Sequence, residues 1–122
     1  MKKYYEVIER ILQLLETIEE GFIYVKEQLE KLHYEEGFIV IKDAMEAIES
    51  IENALKPIKA KLPENDLDDF TAAIKHNMDN AINSYEQGKE VYLVEQIEKE
   101  ILPSFLKWKE ELERVLRPYV IS

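Results

Sequence analysis

An unbroken heptad pattern of apolar residues runs through the first quarter of the chain. Its members recur at alternating steps of four and three residues: Tyr4, Ile8, Ile11, Leu15, Ile18, Phe22, Val25, Leu29 and Leu32. Residues at this spacing share one face of an α-helix, so the pattern predicts one helix over residues 3–32, about 45 Å long. Such a helix needs other helices to cover its apolar face.

A second helix is predicted to begin near Glu35, where apolar residues again repeat at steps of three and four. Its stripe contains Ile41, Ala44, Ile48, Ile51, Leu55 and Ile58, widened by Phe38 and Met45. Proline cannot donate a helical hydrogen bond, so Pro57 predicts a kink or a stop around Lys56. After a connection through Glu64, Asn65 or Asp66 is a suitable N-cap for the next helix.

The third and fourth helices are predicted from the same spacing. The third carries Leu67, Phe70, Ile74, Met78, Ala81 and Tyr85, and Gly88 follows it as a helix-ending glycine. The fourth carries Val91, Val94, Ile97, Ile101, Phe105, Trp108, Leu112 and Val115. Either the fourth helix kinks at Pro103, or one helix ends at Leu102 and another begins with the proline.

Four amphipathic helices joined by short connections predict the fold. Short turns make consecutive helices antiparallel neighbours, and four apolar stripes are all buried only around a shared core. We therefore expect an all-α, up-down-up-down antiparallel four-helix bundle, built as two long αα-hairpins, with residues 1–122 forming a single domain. Asn77 lies on the apolar side of the third helix, where it either sets the helix register or serves a pocket.

The charge of the chain excludes several kinds of partner. The sequence has 122 residues with 16 Lys and Arg against 26 Asp and Glu, a formal charge of −10, and no Cys. This composition excludes disulfide scaffolds, thiolate metal sites and cysteine nucleophiles. It also makes nucleic acid and anionic membranes poor partners. We expect no membrane-spanning segment, no signal peptide and a cytoplasmic location.

Two patterns of carboxylates suggest metal chemistry as an alternative. Glu30 and His33 have the Glu-x-x-His spacing of di-iron bundles, although His76 lacks the matching glutamate. Glu46, Glu49 and Glu52 have a spacing that could hold magnesium in a nucleotide-hydrolysing bundle. Both sets lie beside the apolar stripes, so we predict no enzyme activity, metal or other cofactor.

Surplus apolar residues favour a protein-interaction module of adaptor or chaperone type. Leu12, Leu14 and Ile23 in the first helix, and Tyr92, Leu93, Leu102, Leu106 and Leu116 in the fourth, lie outside the predicted core stripes. The predicted surface for a protein partner or a homodimer comprises Asp66, Asp68, Asp69, Tyr92, Leu93 and Leu106. A small-ligand sensor with a pocket around Trp108 and Tyr85 is the remaining alternative.

Two parts of the chain carry a family resemblance. Residues 21–55 and the segment Ile-Leu-Pro-Ser-Phe-Leu-Lys-Trp-Lys-Glu-Glu-Leu-Glu at 101–113 resemble small acidic helical proteins of unknown function from Gram-positive bacteria. The resemblance implies a cytoplasmic, non-enzymatic bundle and assigns no functional residues.

Overall fold

The computed structural model describes residues 2–120, which contain four long helices and no strand. The helices are α1 (Tyr5–Glu30), α2 (Tyr34–Leu55), α3 (Leu67–Glu86) and α4, which runs through the consecutive segments Leu93–Gln96, Ile97–Ile101 and Leu102–Leu116. Short 3-10 turns lie at Lys2–Tyr4, Lys59–Lys61, Glu90–Tyr92 and Arg117–Tyr119.

Each helix packs against its neighbour along the chain, and α4 closes the bundle against α1. The hairpin turns make α1 antiparallel to α2 and α3 antiparallel to α4. Ion pairs also join helices that are not linked by a tight turn, such as Lys75 of α3 with Glu52 of α2 at 2.8 Å. The predicted all-α, up-down-up-down four-helix bundle is therefore confirmed.

The core follows the predicted stripes through the middle of every helix and departs from them in α3. From Ile8 to Leu29, every heptad position of α1 is buried. In α3, Phe70 is only half-buried and Thr71 is buried in its place. Thr71 is needed there because the buried Trp108 Nε1 donates a hydrogen bond to its Oγ1 at 2.9 Å.

The two hairpin turns end α1 and α3 in the same way. The residues after the C-caps, Leu32 and Gly88, both have left-handed φ angles, 63° and 75°. In each turn the next N–H bonds a carbonyl five residues back: His33 to Gln28 at 2.8 Å and Lys89 to Ser84 at 2.7 Å. Gly88 is confirmed as a helix-ending glycine, whereas the predicted extension of the first helix to Leu32 is wrong.

The start of α4 also differs from the prediction. Val91 was expected in the core but is 67% exposed, whereas Leu93 is 1% exposed. Residues Glu90–Tyr92 form a 3-10 turn, so the face that they present differs from that of a continuous α-helix. Leu93 therefore belongs to the core and not to the predicted partner surface.

Proline residues act differently in α2 and α4. The predicted stop before Pro57 is confirmed, because α2 ends at Leu55. At Pro103 the chain stays helical, and a π-helical turn, Ile97–Ile101, precedes it. Within this turn the Leu102 N–H bonds the Ile97 carbonyl, one residue farther back than in an α-helix. Pro103 therefore lies in the first turn of the α-helical segment Leu102–Leu116, which continues from the π-helical turn without a break.

Asn77 has a structural partner beside this π-helical turn. The half-buried Asn77 Nδ2 donates to the Glu100 carbonyl at 3.1 Å and to Ser104 Oγ at 3.0 Å. Ser104 Oγ donates to the same carbonyl at 2.7 Å. These bonds fix α3 against the irregular part of α4, as expected of a polar residue that sets helix register.

Candidate functional site

The structure sorts the surplus apolar residues of α1 and α4 into buried and exposed groups. Leu116 is buried, and Leu12, Leu14 and Leu102 are half-buried against the core. Ile23 and Leu106 remain exposed at 51% and 45%. These two side chains are candidates for contact with a partner.

Ile23 and Leu106 lie at the same level of the bundle. They directly follow Phe22 and Phe105, whose rings meet edge to face in the core with centroids 5.2 Å apart. A one-residue step turns each helix by the same angle, and antiparallel neighbours place the next side chains on the same outer side. The half-buried Leu102 lies one turn before Leu106 on α4. We call Ile23, Leu102 and Leu106 the α1–α4 face.

Ion pairs on either side of the α1–α4 face hold its two helices together. Toward one end, Lys109 Nζ lies 3.1 Å from Glu16 and 3.0 Å from Glu19. Toward the other, Lys26 Nζ lies 3.6 Å from Glu98. Burial opposes the charge of Lys109, but its hydrogen bonds to Glu19 and Glu16 outweigh that effect and raise its pKa. The apolar residues are thus framed by charged groups on a fixed helix pair.

The acidic part of the predicted partner surface lies elsewhere. Asp66, Asp68 and Asp69 are at the start of α3, whereas Tyr92 follows the end of α3. A helix of 20 residues separates them, a distance of about 30 Å. The six predicted residues therefore do not form one surface, although Tyr92 and Leu106 are exposed as expected.

The acidic residues at the start of α3 have contacts within the fold. Asp68 forms an ion pair with Lys59 of the preceding connection. The Asp66 N–H donates to Glu111 Oε2 of α4 at 2.9 Å, and Asn65 Oδ1 accepts from the Leu67 N–H at 3.0 Å. Of the two predicted N-caps, only Asn65 uses its side chain.

The residues of the suggested metal sites lie at or near the surface of the bundle. Glu30 and His33 are both exposed at the α1–α2 turn, where His33 Nδ1 lies 2.9 Å from Gln28 Oε1. Glu46 and Glu49 are exposed, and Glu52 pairs with Lys75. Across residues 2–120, no three His, Asp or Glu side chains converge as a metal site would require.

Trp108 and Tyr85 do not share the pocket that a ligand sensor would need. Trp108 is fully buried and packs against Phe105 with ring centroids 6.0 Å apart. Tyr85 stacks on Phe38 of α2, with centroids 3.9 Å apart and planes 11° from parallel. The sensor hypothesis is wrong in this form, because both rings have packing partners in different parts of the bundle.

Two residues that the sequence pattern predicted to lie in the core, Leu32 and Val91, are exposed. Both lie where a helix ends or begins, and the heptad spacing continues through them. The sequence could indicate that Leu32 lies in a turn only by comparison with Gly88, which holds the same position in the other hairpin turn.

No helix in the described part of the chain combines the length and the apolar character that crossing a bilayer requires.

Comparison with known proteins places the chain in a family. Neither the curated proteins nor the solved structures gave a significant match. A family model described as "Domain of unknown function (DUF8042)" matches residues 6–111, which include nearly all of the four helices. With most of its length matched, the chain belongs to this family of domains of unknown function, DUF8042.

Proposed function

We propose that this bundle is a non-catalytic, adaptor-like module that binds another protein through the α1–α4 face. The observation that carries the proposal is the exposed pair Ile23 and Leu106, placed together at the level where Phe22 and Phe105 meet in the core. Because about half of each side chain is still exposed, burying one of them against a partner stabilises a complex by about 1 kcal/mol. The polar parts of the surface cannot contribute apolar contacts of this kind.

The shape and charge of this face favour a helix of another protein as the occupant. Two antiparallel helices form a straight groove between them, and an amphipathic helix places its apolar stripe in such a groove. A second copy of the chain would bring its own net charge of −10, which opposes self-association. We therefore expect a heterologous partner and a bundle that is monomeric by itself.

Site-specific cross-linking in the native host tests the proposal. A photoreactive amino acid replaces Leu106 in the full chain, and a second version carries it at Ile39, which is exposed at 52% but lies on α2. We expect a discrete protein cross-link from position 106 and none from position 39. Cross-linking that is equal at the two positions would contradict the proposal.

Binding of the purified partner then measures the contribution of the face. The double variant I23K/L106K should bind at least about tenfold more weakly than the wild-type chain, because it places two charges in the apolar contact. I39K, which adds the same kind of charge elsewhere, should bind normally. Circular dichroism of both variants checks that the bundle remains folded. An unchanged affinity of a folded I23K/L106K rejects the α1–α4 face as the site.

A further inference from the structure

The two hairpin turns expose the three most accessible large apolar side chains of residues 2–120. Leu32, in the α1–α2 turn, is 69% exposed, and Val91 and Tyr92, before α4, are 67% and 55% exposed. Both turns lie at the end of the bundle where α1 and α3 finish and α2 and α4 begin. We call this region, residues 27–36 and 86–95, the turn end.

The conformation of Leu32 is unfavourable for folding. Its φ of 63° is left-handed, and the equivalent position of the other hairpin is Gly88. Leucine is disfavoured in this conformation because its Cβ crowds the following carbonyl oxygen. Because most of the Leu32 side chain is also exposed, its packing offsets little of the free energy that this conformation costs. An observed backbone outlier with an exposed apolar side chain points toward a role in recognition.

The turn end is also the acidic end of the molecule. Its two segments contain seven carboxylates and two lysines, a formal charge of −5. At the opposite end, residues 2–10, 56–69 and 113–120 contain seven carboxylates and eight basic side chains, a formal charge of +1. Half of the chain's net charge of −10 therefore belongs to the turn end, which contains Leu32, Val91 and Tyr92.

Helix dipoles account for only part of this acidity. Glu35 and Glu36 lie in the first turn of α2, and Glu90 and Glu95 lie in the first turns of the Glu90–Tyr92 and Leu93–Gln96 segments, where the dipole favours a carboxylate. Glu27 and Glu30 lie in the last turn of α1, and Glu86 is the last residue of α3. The helix dipole is negative at a C-terminus, so carboxylates there are unfavourable, and neither last turn contains a basic residue. These three carboxylates, like the exposed Leu32, therefore cost stability in the isolated fold.

We propose that the turn end is a docking site for a positively charged, partly apolar segment of another protein. Apolar side chains of that segment pack on Leu32, Val91 and Tyr92, while its Lys and Arg side chains face the surrounding carboxylates. The charge disfavours the other occupants, because a second turn end, an anionic membrane and nucleic acid are all repelled. The turn end does not include the α1–α4 face, so this proposal holds whether or not that face binds a partner.

The test uses the full chain and a fluorescent amphipathic peptide made of leucine and lysine. We expect binding that weakens as salt is added, because salt screens exposed charges. Amide NMR shifts should change within residues 27–36 and 86–95 and not along the α1–α4 face. A lysine–serine peptide of the same charge should bind more weakly, since it lacks the apolar contacts.

Variants separate loss of the site from loss of the fold. The triple variant L32G/V91S/Y92S should bind the leucine–lysine peptide at least about tenfold more weakly, because three apolar contacts are lost. L32G alone should be more resistant to urea than the wild-type chain and should also bind less tightly. Lower affinity in a more stable protein cannot result from unfolding. I23K/L106K, altered only on the α1–α4 face, should bind normally.

Several results would overturn the proposal. Peptide binding that is unchanged in the triple variant places the contact elsewhere, and loss of binding only in I23K/L106K assigns it to the α1–α4 face. Binding of a leucine–glutamate peptide with equal affinity removes the role of charge. Wild-type binding to phosphatidylglycerol vesicles, or dimerisation through the turn end in sedimentation, replaces the proposed occupant with a membrane or a second copy.

Discussion

Glu111 shows how one side chain can join two helices of this bundle. Its carboxylate accepts hydrogen bonds from Arg114 Nε at 2.7 Å and from the Asp66 N–H at 2.9 Å. Arg114 also donates to the Glu64 carbonyl at 3.1 Å, so α4 is fastened to the start of α3. The bond from Arg114, followed by that from the Asp66 N–H, lowers the pKa of Glu111.

Substituting Glu111 should change how stability depends on pH. A carboxyl group with a lowered pKa in the folded state stabilises the protein above its unfolded pKa, and this contribution disappears as pH falls through the folded value. We expect E111Q to unfold more easily at neutral pH by about 1 kcal/mol. From the ordinary glutamate pKa of 4.5 downward, its stability should fall less steeply than that of the wild-type chain.

Urea unfolding at a series of pH values checks this prediction. E110Q is the matched control, because Glu110 is the exposed neighbour on the same helix. If E111Q and the wild-type chain lose stability in parallel on acidification, the carboxylate does not contribute in this way.

The hairpin of α1 and α2 contains two helical glycines with different surroundings. A Cβ added at Gly21 would lie 3.6 Å from Val40 Cγ1, an ordinary contact distance. At Gly37, which is buried, a Cβ would lie only 3.0 Å from Leu29 Cδ2. The close approach of the helices therefore requires a glycine at Gly37 more strictly than at Gly21.

Alanine substitutions at the two glycines should have different effects. G21A should raise the free energy of unfolding by about 0.5–1 kcal/mol, because alanine loses less backbone entropy in a helix. G37A receives the same benefit but must displace Leu29, so it should be less stable than G21A. Urea denaturation of both variants measures the difference, and equal stabilisation would show that the hairpin tolerates a Cβ at Gly37.

The whole molecule is electrically polar along its length. The turn end has a formal charge of −5 and the opposite end +1. Acidic residues also occupy both ends of α3: Asp68 and Asp69 lie in its first turn, where the dipole favours them, and Glu86 lies at its C-terminus, where the dipole does not. Whether a carboxylate raises or lowers stability therefore depends on which end of its helix it occupies.

Two charge-neutralising variants should shift the melting temperature in opposite directions. E27Q/E30Q/E86Q should melt a few degrees higher than the wild-type chain at low salt, because it removes repulsion at the turn end. D66N/D68N/D69N should melt lower, because it loses favourable dipole interactions and the ion pair of Asp68 with Lys59. Both differences should shrink at high salt. Thermal unfolding followed by circular dichroism tests this, and shifts of the same sign would reject the electrostatic polarity.

The accuracy of the sequence predictions varied with position along each helix. The core positions of α1 from Ile8 to Leu29 were predicted correctly, because their spacing repeats over several turns. At the helix ends, Leu32 and Val91 were assigned to the core although they are exposed. A left-handed residue or a 3-10 turn changes the face presented by the next residues without interrupting the apolar spacing.

The sequence by itself determined the number of helices, their apolar faces and the bundle fold, because the helical period is a local property of the chain. Only the tertiary structure decided where the surplus residues lie: Leu93 is buried, whereas Ile23 and Leu106 are exposed at the same level of the bundle. It also placed Leu32 at the same end of the bundle as Val91 and Tyr92, and left Asp66 at the opposite end. These neighbours depend on the packing of helices far apart in sequence, and the apolar period of a single helix carries no information about that packing.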